Sequence, residues 1–263
     1  MIGCCFLLRA GTSAADGSYP IEAEIPQAKQ SPYSGRIWTV LKHWPPQGMP
    51  ESPSNADPLW IAGIKTPGDE AYVGIAKRTW IGAPLSAVAA LMDDLESYKG
   101  RMPNLKEVRL LAREGNRITT FWRTKAPMFL FPDTKYEQIW VSDDSSAERV
   151  VYRHQLKRGN HLKFCDGLIV LESVKDKDMT RLTSFDFFEL DMGVLAKVVP
   201  QHKLTRKVWK DSLEAYYRGD IALKTQAEHP DWSAGQIERE AERLFKAHPT
   251  GPFQFLSPFP FDW

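Results

Sequence analysis

The side chains best suited to proton chemistry in this sequence are three histidines, His154, His161 and His202. A histidine titrates near neutrality, so it can act as general acid or base when a second polar group stands beside it. His154 and His161 flank the short basic stretch Lys157-Arg158-Gly159-Asn160, and His202 lies close to Thr205. No nucleophile motif, triad order, metal-ligand spacing or Gly-rich phosphate loop accompanies them. The residues therefore imply no cofactor and no metal. The three cysteines, Cys4, Cys5 and Cys165, offer neither a disulfide framework nor a zinc spacing. Cys165 lies in an apolar run and reads as a packed, inert thiol. Catalysis through His154 or His202 stands as the alternative to a binding role.

Noncovalent binding asks for other residues, apolar walls with a few hydrogen-bonding groups among them. Alternation at period two puts Thr120, Trp122 and Thr124 on one strand face, Tyr136, Gln138 and Trp140 on another, and Val151, Arg153 and Gln155 on a third. These faces are assigned to the concave side of a sheet. Trp122, Trp140, Phe185 and Phe187 would form apolar walls, and Tyr136, Gln138 and Arg153 would meet a polar head group. Trp209, Leu213 and Tyr216 join them from a long C-terminal helix. An arginine facing a cavity requires a carboxylate, Asp166 or Glu189, or an anionic ligand; otherwise Arg153 belongs to a solvated strand face.

The elements that must position these groups are legible from periodicity and turn residues. Residues 71–81 read as a strand, and Gly82-Ala83-Pro84 ends it and opens a helix whose apolar face is Leu85, Val88, Ala89 and Met92. A second short helix covers 95–99. Strands follow at 106–113, 117–125, 134–142, 149–156, 161–174 and 180–190, with Glu114-Gly115-Asn116 as a hairpin turn. Residues 194–224 form the long helix, on which Leu195, Val198, Val199, His202, Trp209, Leu213 and Tyr216 recur near one stripe. A curved antiparallel meander clasping one helix leaves space between the two layers.

The ends differ in character. Residues 1–16 combine an apolar start with Thr12-Ser13-Ala14-Ala15-Asp16, which suits either a truncated export signal or a disordered tail. The first reading places the protein in the periplasm or outside the cell, the second in the cytoplasm. Residues 17–69 are a Pro-rich arm, 70–226 the main domain, and 227–263 a helix (233–247, Ser233 as N-cap) with an aromatic tail. That tail, rich in Phe and Pro, would dock on the domain or the arm, self-associate, or touch a membrane. With 34 basic and 33 acidic residues the net charge is +1, which gives no broad positive field to hold nucleic acid.

Two segments carry a resemblance. Trp80-Ile81-Gly82-Ala83-Pro84 through Tyr98, then Met102-Pro103-Asn104-Leu105-Lys106-Glu107-Val108, resembles the opening of START-domain lipid-transfer proteins in the Bet v 1-like (SRPBCC) superfamily. Arg181-Leu182-Thr183-Ser184-Phe185-Asp186-Phe187-Phe188 resembles that family's last strand before its C-terminal helix. The resemblance implies an α+β helix-grip fold, a curved antiparallel seven-stranded sheet around a long helix, enclosing a tunnel for a sterol, phospholipid, isoprenoid or polyketide-like molecule. It also implies a polyketide cyclase or dehydratase as the enzymatic alternative. This chain departs in its short 157–160 loop, while the apolar Pro127-Met128-Phe129-Leu130-Phe131-Pro132 is the candidate lid, with transient membrane contact through Met128, Phe129, Leu130 and Phe131.

Overall fold

The computed structural model describes residue 51 and residues 59–64, 73–102, 104–125, 133–143, 146–190, 201–247 and 253–256. At 59–64, 73, 100, 143, 163–164, 189–190, 201–213, 247 and 253–256 the description is of the backbone alone. In chain order the elements are β1 (Leu59–Ile64), β2 (Val73–Ile81), α1 (Leu85–Asp93), α2 (Tyr98–Arg101), β3 (Leu105–Glu114), β4 (Arg117–Thr124), β5 (Thr134–Asp143), β6 (Arg149–Gly159), β7 (Leu162–Ser173), β8 (Thr180–Leu190), α3 (Gln201–Glu228), α4 (Ala234–Ala247) and β9 (Phe253–Leu256). The candidate lid 127–132, the start of the chain through residue 50 and the stretch 191–200 lie outside the described residues.

The seven expected strands are all present and form one antiparallel block, β3-β4-β5-β6-β7-β8-β2, against which α3 lies. Two further strands extend it at the β2 edge. β1, from the Pro-rich arm, pairs antiparallel with β2, and β9, from the aromatic tail, pairs parallel with β1 with Ile61 opposite Phe253. Neither was visible as a strand in the sequence, because six and four residues among prolines carry little alternation. The helix expected to end at 224 runs on to Glu228, whose carboxylate accepts the Gly82 N–H at 2.6 Å and ties the helix end to the β2–α1 corner.

Local chemistry accounts for the joints. Gly115 takes a φ of 61° in the β3–β4 turn, a conformation that costs glycine nothing and that tight hairpins require. Helix α1 starts after Pro84, whose carbonyl accepts the Ala87 and Val88 amides, and buries the expected stripe of Leu85, Val88 and Met92. At the start of α4, the Gln236 side chain accepts the Ser233 N–H at 2.9 Å, half of a capping box. Its apolar stripe, Ile237, Ala241 and Phe245, packs on α3 through Tyr217, with the rings of Tyr217 and Phe245 at 5.9 Å.

Two core clusters stand out among the described residues. One joins Ile75, Cys165 and Phe188 of the sheet to Tyr217, Ile221 and Ala222 of α3 and to α4. The other joins α1 and α2 to Trp122, Tyr152, Ile169, Leu171 and Leu182. The middle strands are buried on both faces: on the convex side Trp80, Leu168, Val170, Phe185 and Phe187 are as inaccessible as the core proper. Between the concave face and α3, the two clusters do not meet completely.

Candidate functional site

The gap is a cavity of about 110 Å³. Its floor is the concave face of the sheet, with Trp122 from β4, Tyr136, Gln138 and Trp140 from β5, His154 from β6, Cys165 and Ile169 from β7, and Leu182 and Asp186 from β8. Its roof is Tyr216, Gly219, Asp220 and Leu223 of α3, and its side wall is Met92, Tyr98, Arg101 and Met102. Gly219, one turn from Tyr216, presents no side chain to the space. The volume is of the order of the ~150 Å³ apolar cavity that accepts benzene, so it suits a guest of about one ring; a larger one requires the lining side chains to move.

The aromatic wall is held in place by hydrogen bonds from its own strand. Trp122 donates its indole N–H to Thr120 Oγ1 at 2.7 Å, which fixes a ring that is otherwise only packed. Tyr98 meets that indole edge-on at 5.5 Å, and Tyr136 and Trp140 lie beside it with centroids at 6.3 and 6.2 Å. Burial pushes the Tyr98 hydroxyl up to about 12, against the pull of Arg101, and raises Tyr136 and Tyr216 beyond the ordinary phenol value. All three phenols therefore stay protonated and can donate. The hydroxyls of Tyr136 and Tyr216 have no hydrogen-bond partner among the described residues.

Two polar constructions interrupt the apolar lining. In the first, Lys77 Nζ lies 2.7 Å from Asp220 Oδ1, and Thr79 Oγ1 donates to Oδ2 of the same carboxylate at 3.1 Å. This buried pair bolts β2 to α3, and the Lys77 ammonium also sits 4.9 Å above the Tyr216 ring. In the second, His154 Nε2 is 2.9 Å from Asp186 Oδ1, and its Nδ1 is 3.2 Å from the Gln138 amide nitrogen. Since an amide N–H can only donate, Nδ1 accepts from Gln138 and Nε2 carries the proton that is given to Asp186. The ring also lies on Trp140 with centroids 4.6 Å apart. Both imidazole nitrogens are thus engaged.

The second construction depends on an absent side chain. His154 is paired across the ladder with Gly167, and Gly167 with Asp186, so the imidazole reaches over β7 to a carboxylate two strands away. A Cβ at position 167 would stand 2.2 Å from His154 Nε2. Cys165, two residues earlier on the same face, accepts from Gln138 at 3.3 Å, and burial together with Asp186 and Asp166 pushes its thiol far above the ordinary range. It is protonated and inert at neutral pH.

Of the residues expected from the sequence, Trp122, Tyr136, Gln138, Trp140 and Tyr216 line the cavity. Arg153, Phe185 and Phe187 do not. The concave face of β6 carries Tyr152 and His154, whereas Arg153 pairs with Val141 and Leu168 on the convex side. In β8 the concave positions are Leu182 and Asp186, and Phe185 and Phe187 point to the opposite face. In β8 burial on two faces erases the apolar-polar alternation that assigns a side; in β6 each face mixes apolar with polar residues, Tyr152 and His154 on one and Val151, Arg153 and Gln155 on the other, so composition does not separate them. Trp209 and Leu213 lie on α3, with their side chains outside the described residues, as is that of His202. His161 is half-buried in the turn before β7, at a φ of 60°.

Sequence reasoning passed over Asp186, Lys77, Asp220, Tyr98 and Arg101. A signal existed for the first, a lone carboxylate within Phe185-Asp186-Phe187, and for its neighbour Gly167, a glycine inside an apolar strand that marks a close approach. For the others there was none, since each is a polar residue of ordinary local context whose burial is set by partners far along the chain. Among the described residues no cluster of three or more His, Cys, Asp or Glu could hold a metal, and no helix is long and apolar enough to cross a membrane.

No family profile matches the sequence, and no curated protein matches it. Solved structures do. Human STARD10 superposes with a TM-score of 0.53 at 12% identity, over 86% of this chain and 91% of its own. The STAR-related lipid transfer protein of Xanthomonas axonopodis, a fragment of residues 25–204, gives 0.50 at 12% identity, over 65% of this chain and 96% of that fragment. A likeness at such low identity speaks for backbone architecture, and the chain has the α+β helix-grip fold of START domains.

Proposed function

We propose that this chain binds a hydrophobic small molecule in the cavity between the sheet and α3. The observation that carries this reading is the cavity itself, walled by Tyr98, Trp122, Tyr136 and Trp140 and not filled by its own side chains. A cavity lined by apolar groups with a few fixed polar ones is the usual form of a small-molecule site. The Xanthomonas protein of the same fold is a STAR-related lipid transfer protein, which is consistent with an apolar guest here. Excluding about 200 Å² of apolar surface from water would supply about 5 kcal/mol before the entropy of association. Native mass spectrometry of freshly purified protein, with organic extraction of the guest, tests it. A discrete apolar adduct is expected; empty protein that also leaves its tryptophan emission unchanged across a panel of lipids, isoprenoids and aromatic compounds defeats the reading.

A second reading, a cyclase or dehydratase acting on a polyketide-like substrate, is favoured by one observation: His154, paired with Asp186, lines the cavity. In such a reaction His154 Nδ1 would take a proton from a carbon next to a carbonyl, and Asp186 would steady the resulting imidazolium. Nδ1 is occupied by the Gln138 amide, which a substrate would first have to displace. Binding is therefore placed first. Turnover of a poly-β-ketone surrogate that vanishes in His154→Ala while guest affinity persists would reverse that order.

A further inference from the structure

Arg101 is the one cation of the cavity lining that no carboxylate neutralises among the described residues. It is 5% exposed, at the end of α2, and lines the cavity beside Met102, Gly219 and Asp220. Its guanidinium is partly used. Nη2 donates to Leu91 O at 2.7 Å, satisfying a carbonyl near the end of α1, and to Ser97 Oγ at 2.6 Å, while Nε reaches Ser97 O at 3.4 Å. The group also stacks 4.2 Å above the Tyr98 ring. Every one of these acceptors is neutral. Burial draws the Arg101 pKa below its ordinary value, with weaker opposing effects from Tyr98, Asp94 and Asp220. Asp220 is already committed to Lys77, and the other carboxylate of the lining, Asp186, to His154.

That leaves Nη1, with two N–H groups and no acceptor among the described residues. A buried guanidinium held by neutral acceptors alone is an unfavourable arrangement that an anion from outside would relieve. A single free nitrogen suits one carboxylate. A phosphate monoester would bring more charge and more oxygens than one nitrogen can serve.

Resting on the binding reading above, we propose that the guest is an apolar molecule bearing a carboxylate, and that Arg101 Nη1 holds that carboxylate while the aromatic wall takes the body. The cavity volume of about 110 Å³ makes single-ring probes appropriate. An NMR titration of the full chain at pH 7.5 with phenylacetate, 2-phenylethanol and 2-phenylethylammonium isolates the head group, since the three share one apolar body. Phenylacetate is expected to bind at least about tenfold tighter than the alcohol, the scale of a charge-assisted hydrogen bond, and the ammonium weakest of all. In Arg101→Met the acid should lose that advantage while the alcohol keeps its affinity within about threefold. Equal binding of acid and alcohol by the unaltered protein overturns the inference and leaves the apolar cavity reading in place. Binding of none of the three overturns both. A preference for the acid that survives in Arg101→Met overturns the assignment to Arg101. If Arg101→Met fails to fold, Arg101→Gln removes the charge while keeping hydrogen-bonding groups for Leu91 and Ser97, and an undiminished acid preference there would refute the assignment.

Discussion

Replacing Gly167 with alanine should break the polar floor of the cavity. Adjacent strands lie about 4.8 Å apart, so β6 and β8 are separated by roughly 10 Å, a gap the His154 side chain closes only by lying across position 167. A Cβ there would stand 2.2 Å from Nε2 and 2.6 Å from Cε1 of His154, and 2.6 Å from the carbonyl oxygen of Phe185. The carbonyl belongs to the β7–β8 ladder and has little freedom, so the imidazole must swing away from Asp186. Forcing one methyl group into a packed site costs about 1–3 kcal/mol, and stripping Asp186 of its buried partner costs about 1–3 kcal/mol more. The sum, roughly 2–6 kcal/mol, is a large part of a typical domain stability of about 5–15 kcal/mol. Urea unfolding followed by tryptophan emission measures it, with Trp140 in tilted contact with the affected ring as a local reporter. A loss below about 1 kcal/mol would refute the geometry. The double variant Gly167→Ala with His154→Ala sharpens the test, because removing the ring takes away the closer contact. Its destabilisation should fall short of the sum of the two single losses by more than about 0.5 kcal/mol, and strict additivity would mean that the new methyl meets something else.

Lys77→Met strands the Asp220 carboxylate in the interior with only Thr79 for company, and should cost about 3–5 kcal/mol, much of it recovered when Asp220→Leu is added; equilibrium denaturation of the four-protein cycle checks it. Asp166 is held protonated more readily in the folded chain because burial raises its pKa against the Leu156 N–H bond. Its ionised form therefore lowers stability above that raised pKa, and the penalty fades as the pH falls toward the unfolded value of about 3.9. Asp166→Asn, which keeps the acceptor, should be more stable than the parent at pH 7 and lose that advantage by about pH 4; thermal unfolding against pH reads the sign. Cys165 should resist alkylation at pH 8 in the native protein and react once urea unfolds it, as peptide mapping of the labelled site will show.

How much of this was legible in the sequence depended on whether an element faces water. Helix α1 shows its stripe of Leu85, Val88 and Met92 because the other face is solvated, and β4 shows Thr120 and Trp122 for the same reason. In β8, from Leu182 to Phe188, every residue is buried, so nothing in the alternation distinguishes Phe185 from Asp186. Reading the aromatics as the cavity wall was the natural choice and the wrong side of the strand. In β6 the cause differs: both faces mix apolar and polar residues, so nothing local separates Arg153 from His154. Cross-chain partnerships such as Lys77 with Asp220, 143 residues apart, leave no local trace at all.

The chemistry of the cavity follows from which of its polar atoms are still uncommitted. Both nitrogens of His154, the carboxylates of Asp186 and Asp220, and the Lys77 ammonium are engaged with one another or with Gln138 and Thr79, so they stabilise the clasp between sheet and helix. The Cys165 thiol is protonated and already accepts a bond. Among the lining residues, the polar atoms left without a described partner are donors: the hydroxyls of Tyr136 and Tyr216, kept protonated by burial, the indole N–H of Trp140, and Nη1 of Arg101. A wall of donors selects a guest rich in acceptor oxygens, and an apolar body with a single oxygenated end meets both halves of the lining at once. Tyr136→Phe and Tyr216→Phe, which delete one donor each and keep the ring, should then weaken an oxygenated aromatic guest by about 0.5–1.5 kcal/mol per hydroxyl. They should leave the affinity for a hydrocarbon of the same shape, toluene or ethylbenzene, unchanged. Equal losses for both guests would mean that the hydroxyls merely pack, and that the cavity discriminates by shape alone.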